Sequence, residues 1–328
     1  MRGFLPQYST KSGTKFSKHT ETGTCLVLQY HRISLLSCDP LQLAVEPCNF
    51  ERQMEYLSRN FNVIPISDIK QHLETATPFR KKTVAVTFDS GYADMLYTAG
   101  DVLNRYQIAA AVFIPSVNIV DGRQFWWDRL EELVLANRFF SRLEIEIDSR
   151  LCRWPLVSQQ DRFRAYEDLH TILFDRASPD REAIMEQITA AIGFQPAETD
   201  DHRVINSQEV KRLEQGGLIT IGGHAHDCVK LSSLPKWQQA EEISKNKEVL
   251  EEILGHGIEY FSCPGGGDSG CTVETTSILE DFGFGLAFGN SYGAISADEK
   301  INCYDLPRVR VANCRPFAFY KFLSRFLD

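Results

Sequence analysis

The chain has 328 residues, 43% apolar and 24% charged, enough to bury a large core, which excludes a disordered or fibrous polymer. Its 35 Lys and Arg stand against 44 Asp and Glu, a net charge of −9, which argues against a general affinity for nucleic-acid phosphates. No stretch approaches the roughly 18 uninterrupted apolar residues of a membrane span.

Residues 1–24 read as a loose polar tail without the apolar segment of a secretory signal. The nine cysteines are an odd number, scattered and without a C-x-x-C pair, so the expectation is reduced thiols and a cytoplasmic setting. From residue 25 onward, short apolar, β-branched or aromatic runs alternate with helix-like segments, the rhythm of a parallel α/β sheet or barrel. The runs are Cys25–Tyr30, Val84–Phe88, Ala109–Ile114, Leu218–Ile221, Ile258–Cys263 and Gly285–Phe288, with Val309–Val311 as a candidate seventh. Between them Asn49–Arg59, Asp94–Tyr106 and Lys236–Leu254 carry apolar residues at helical spacing. From about 121 to 203 the rhythm gives way to a charged, helix-rich insertion, with one alternating piece, Leu143–Ile147, suited to an edge ribbon. It divides the barrel into 25–120 and 204–328. Trp126, Trp127 and Trp154 fall in the insertion and suit a core first and a sugar site second.

In parallel α/β folds, side chains at the carboxyl ends of the strands converge on one face. Those ends carry His31 and Arg32, then Asp89-Ser90-Gly91-Tyr92, then His224, His226, Asp227 and Cys228, and finally Ser262-Cys263-Pro264-Gly265-Gly266-Gly267, with Asp268 a further rim candidate. Asp89 suits a turn-former or an exposed acid/base group, and His31 a satisfied hydrogen-bonding group or a catalyst. Imidazole, thiolate and carboxylate are zinc ligands, but neighbours in an extended segment point to opposite sides. All four residues of 224–228 would need a tight turn to share one ion.

VAVTFDSGYAD, GGHAHDCVKLS after NSQEVKRLEQGG, FSCPGGG and LPRVRV resemble, in order and spacing, the polysaccharide deacetylase family with its NodB-type homology domain. The YHRI and FWWDRLEEL segments look like the branch found among surface-polysaccharide enzymes. The resemblance implies a distorted (β/α)7 barrel and a hydrolase that removes an acetyl group from an N-acetylated sugar. It implies Asp89 as general base, His31 as general acid, Arg308 as the group orienting Asp89, and Gly265 and Tyr92 beside substrate and oxyanion. It also implies a divalent metal, zinc foremost, on an Asp and two His. This sequence keeps His224 but has Ser90 and Cys228 at the other two positions. His226 or Asp227 turned inward, or no metal at all, are the open alternatives. So are a metal-free protein that binds a glycan or protein partner in the retained cleft, and a hydrolase using Cys228 as nucleophile.

Overall fold

The computed structural model describes residues 23–89, 91–136, 139–193, 200–265, 271–297 and 301–327. The tail up to residue 22, Ser90 and Asp268 lie outside the described residues. The first part runs β1 (Cys25–Tyr30), β2 (Arg32–Ile33), β3 (Ala44–Val45), α1 (Pro47–Asn60), β4 (Asn62–Val63), α2 (Ile66–Glu74) and β5 (Thr83–Asp89). A π-helical turn (Met95–Ala99) then leads into α3 (Gly100–Tyr106), β6 (Ala110–Ile114) and α4 (Val117–Asp121). The central part holds α5 (Trp126–Glu131), the antiparallel ribbon β7 (Arg142–Ile147) and β8 (Arg150–Pro155), α6 (Gln159–Phe174) and α7 (Ser178–Ile192). The last part runs α8 (Ser207–Gln215), β9 (Ile219–Gly223), α9 (Lys236–Leu254), β10 (Tyr260–Ser262), α10 (Val273–Asp281), β11 (Leu286–Phe288), β12 (Val309–Arg310) and α11 (Pro316–Leu327). Among the described residues no helix is long and apolar enough to cross a membrane.

The main sheet has the order β11-β10-β9-β6-β5-β1-β12, with every pairing parallel. Its two ends meet. Segment 303–306 pairs with β11 through Ala287 N–H to Cys303 O (2.9 Å) and Leu306 N–H to Ala287 O (3.0 Å), and the chain then enters β12 against β1. The result is a closed, irregular α/β barrel. All seven sequence runs become its strands. The two-residue strands β2, β3 and β4 were not anticipated, because so short a segment carries no periodic signal.

Strand alternation sorts the side chains. Leu26, Leu28 and Tyr30 of β1, Val84, Val86 and Phe88 of β5, and Ile219 and Ile221 of β9 pack outward under the helices. Cys25 and Val27, Ala85, Ala111 and Phe113, Tyr260, Leu286 and Phe288 pack together inside the barrel. Small alanines beside large phenylalanines let a narrow barrel fill its centre. Gly222 shows how tight it is: a Cβ there would sit 2.6 Å from the Phe113 ring and 2.7 Å from the Tyr260 carbonyl oxygen.

The central part has its own hydrophobic core of Trp126, Leu130, Tyr166, Leu169, Met185, Ile188 and neighbours. Trp126 is buried in it, and Trp127 stacks on Phe125 with ring centroids 4.5 Å apart. The tryptophans thus serve packing first. Helix α6 begins with a capping box between Ser158 and Asp161, which satisfies backbone donors at its first turn.

Candidate active site

The inward row of each strand continues past the core to its carboxyl end and becomes the site. Counting by twos along β1 from Cys25 and Val27 reaches Gln29 and then His31. The same count along β5 from Ala85 reaches Thr87 and Asp89, and along β9 from Gly222 it reaches His224. Asp89 ends β5, the strand between β1 and β6. Its Oδ1 accepts from Arg308 Nη1 (2.6 Å), and its Oδ2 accepts from Arg308 Nη2 (2.7 Å) and Gln29 Nε2 (2.7 Å). Arg308, 2% exposed, also donates to Ser262 Oγ (2.7 Å) and to the Gly289 carbonyl (3.1 Å). Burial by itself would raise the Asp89 pKa. The Arg308 guanidinium opposes it, aided by His224 and by the Arg308 hydrogen bonds, and holds the carboxyl well below the usual range. Asp89 is therefore an anion. A carboxylate has about four acceptor positions, so after these three bonds Oδ1 keeps one open among the described residues.

His224 is buried, and its ring Nδ1 lies 2.8 Å from the Ser262 carbonyl oxygen. A carbonyl only accepts, so Nδ1 carries the hydrogen and Nε2 keeps its lone pair. Burial lowers the His224 pKa, and the neutral ring persists. Its backbone N–H donates to Asn246 Oδ1 (3.0 Å), while Asn246 Nδ2 donates to the Ile114 carbonyl (3.0 Å), so one buried side chain of α9 ties β6 to the His224 loop. His31 is half-buried. Burial, then the charge of Arg310, pushes its pKa down to about 3 against the pull of Asp89. At neutral pH it is an uncharged imidazole, a proton acceptor rather than the loaded acid that the resemblance implies.

The loop after β9 places its other candidates elsewhere. His226 Nδ1 lies 2.8 Å from Ser116 Oγ, and its carbonyl accepts from the backbone of Ser116 and Val117. Asp227 pairs with the buried Arg181, and its N–H donates to Glu242 Oε2 (2.9 Å). Neither turns inward. The loop does make a tight turn, with Ala225 and Cys228 in left-handed conformations (φ 58° and 46°). Burial, reinforced by Asp227, raises the Cys228 thiol pKa well above its ordinary value, so it is not a thiolate nucleophile.

Two further expectations need correction. Tyr92 is 3% exposed and its hydroxyl is spent on Asp128 Oδ2 (2.8 Å) and Trp127 Nε1 (2.7 Å), which sets it in the seam with the insertion rather than beside substrate. Cys263 and Cys271 form a disulfide with Cα atoms 5.8 Å apart, so not all nine thiols are free. Gly265 lies just inside that loop, with φ 126°, a conformation that favours glycine, and Asn290 Nδ2 donates to its carbonyl. Gln29 and Asn290 were not singled out from the sequence, and Ser262 was noted only as a strand-end residue. The only signal was a polar residue on the inward count of a buried strand.

At the position where the resemblance implies a metal, the described donors are His224 Nε2 and the Cys228 sulfur, and Ser90 lies outside the described residues. No third His, Cys, Asp or Glu atom converges on them among the described residues. This donor set does not fit the Asp-and-two-His cradle, and no chemical step is derived through it.

A sequence model described as polysaccharide deacetylase matches residues 76–139 and 186–286, half of the chain. The chain belongs to the polysaccharide deacetylase family. No curated protein sequence matches it. Among solved structures it is similar to the Streptococcus pyogenes deacetylase PplD in complex with acetate (15% identity, TM-score 0.60, covering 94% of this chain and 99% of that one). It is also similar to IcaB from Ammonifex degensii (18%, 0.56, 92% and 96%) and to a de-N-acetylase from Aggregatibacter actinomycetemcomitans (13%, 0.55, 91% and 98%). At these identities the likeness shows the polysaccharide deacetylase (β/α) barrel fold. The stretch between the two matched segments, 140–185, holds the β7–β8 ribbon, α6 and the start of α7.

Proposed function

We propose that the strand-end rim binds an acetylated carbohydrate and that Asp89 directs water onto its acetyl carbonyl, releasing acetate. The observation that carries this reading is the ionised Asp89 carboxylate, clamped by Arg308 and Gln29, with an acceptor position open on Oδ1 among the described residues and the unprotonated His224 and His31 beside it. Arg308 fixes the carboxylate plane, so the open position has a defined direction. Asp89 takes the proton of the attacking water and passes it to the leaving nitrogen as the C–N bond breaks, and the Gly265 backbone N–H is the candidate donor to the developing oxyanion. An N-acetyl sugar in surface-polysaccharide assembly and a cytoplasmic setting complete the proposal. A zinc ion enters it only as a ligand that His224 and Cys228 would meet, with the weak donor set described above.

That weak donor set favours a second reading, a metal-free protein whose rim binds a glycan without turning it over. One experiment separates the two: calorimetric binding of N-acetylated and de-N-acetylated chito-oligosaccharides, with acetate assayed in the same cells. Acetate release that Asp89→Asn abolishes supports the hydrolase. Saturable binding without acetate supports the binder, and neither binding nor acetate contradicts both.

A further inference from the structure

We infer that the seam between barrel and insertion holds a divalent-cation site formed by Asp128, Glu131 and His202, separate from the strand-end rim. Asp128 and Glu131 stand three apart on α5 and so share one face of it. His202 closes the short 3-10 turn at 200–202, where the chain returns to the barrel. One ligand atom from each of the three lies within 4.8 Å of the others, a spacing one ion can bridge. Asp128 and His202 are 4% and 7% exposed, and Asp128 Oδ1 faces His202 Nδ1 at 3.3 Å. Tyr92 already holds Asp128 Oδ2, which orients the other carboxylate oxygen toward His202.

A second observation points into the same place. Tyr166 is 1% exposed, its hydroxyl has no hydrogen-bond partner among the described residues, and it lies within electrostatic reach of Glu131 and Asp128. An unused hydroxyl buried beside carboxylates is a ready donor or acceptor for a bound ion or its water. Charge balance agrees. Asp94, Asp128 and Glu131 gather here, with Arg32 paired to Asp94 (3.0 Å), set against His202 Nδ1 (3.3 Å) and stacked over Tyr92. Buried carboxylates in excess of their counter-charges are costly, and a dication offsets the excess. One imidazole with carboxylates suits zinc or a neighbouring first-row ion better than magnesium or calcium, which favour all-oxygen shells. Because α5 opens the insertion and His202 ends it, the ion would clasp the insertion's neck to the barrel.

The test uses the full chain without a histidine tag, stripped of metal and titrated with zinc chloride, with bound zinc and the thermal midpoint both measured. We expect one zinc per chain and a rising midpoint. Both persist in the rim variant His224→Ala/Cys228→Ser, and zinc affinity falls about tenfold or more in His202→Gln and in Glu131→Gln. Glu131→Gln keeps the side-chain shape at a half-buried position, so it reports on binding even if His202→Gln fails to fold. Zinc binding that survives Glu131→Gln, that is lost in the rim variant, or that is absent from the parent chain overturns the inference. Acetate release is not a readout here, so the outcome is independent of the function proposed for the rim.

Discussion

Replacing Arg308 by Met keeps most of the side-chain volume and removes the charge that Asp89 faces. The guanidinium makes two charge-assisted hydrogen bonds to Asp89, each worth about 1.5–3 kcal/mol, and bonds to Ser262 Oγ and the Gly289 carbonyl besides. Removing one partner of a buried ion pair costs about 3–5 kcal/mol, against a total stability of about 5–15 kcal/mol. Urea unfolding at pH 7 should show that loss, and Asp89→Asn in the same background should recover part of it, because the stranded charge goes too. The pH dependence reverses as well. In the parent, the folded Asp89 pKa lies below the unfolded value, so its contribution is present above about pH 4 and lost as the solution is acidified. With Arg308 gone, burial raises the folded pKa above the unfolded one, and that contribution is lost as pH rises. A destabilisation below about 1 kcal/mol, or strictly additive effects of the two substitutions, would refute the buried clamp.

Other consequences are equally direct. Gly222→Ala places a Cβ 2.6 Å from the Phe113 ring, and overpacking of this kind should cost about 1–3 kcal/mol in a denaturant titration; an unchanged midpoint would mean the barrel centre is looser than described. Burial pushes the His170 pKa down to about 4 from 6.5, so the stability it supports is full above pH 6.5 and declines as pH falls toward 4. His170→Phe, beside Trp126 and Phe174, should therefore reduce the difference between urea midpoints at pH 7 and 4.5, and an unchanged difference would show that the ring is not buried uncharged. A thiol titration of the denatured, unreduced chain should find seven free cysteines, whereas nine would show that Cys263 and Cys271 are reduced in solution.

The barrel was legible because each buried strand is a short apolar run between breaks, and CLVLQY and VAVTFD carry that pattern clearly. The placement of Asp89, His31 and His224 follows from the same alternation, since each continues an inward row. What the sequence hid depends on contacts between distant segments. Nothing local shows that Gln29 would bond the carboxylate that the resemblance already pairs with Arg308, or that Asn246 of α9 would hold the His224 loop. Tyr92 was misplaced for the same reason: its partners Asp128 and Trp127 belong to the insertion, whose docking no periodicity reports. The Cys263–Cys271 bridge likewise depends on a loop closing in space, which the spacing of two cysteines does not specify.

The central claim, that Asp89 drives acetyl hydrolysis at the rim, is tested most directly by following a carbonyl-labelled N-acetyl chito-oligosaccharide by carbon NMR. The parent chain and Asp89→Asn are compared with and without a chelator. The account predicts labelled acetate from the parent in both conditions and none from the variant. Intact substrate with the parent, or equal release from the variant, would contradict it.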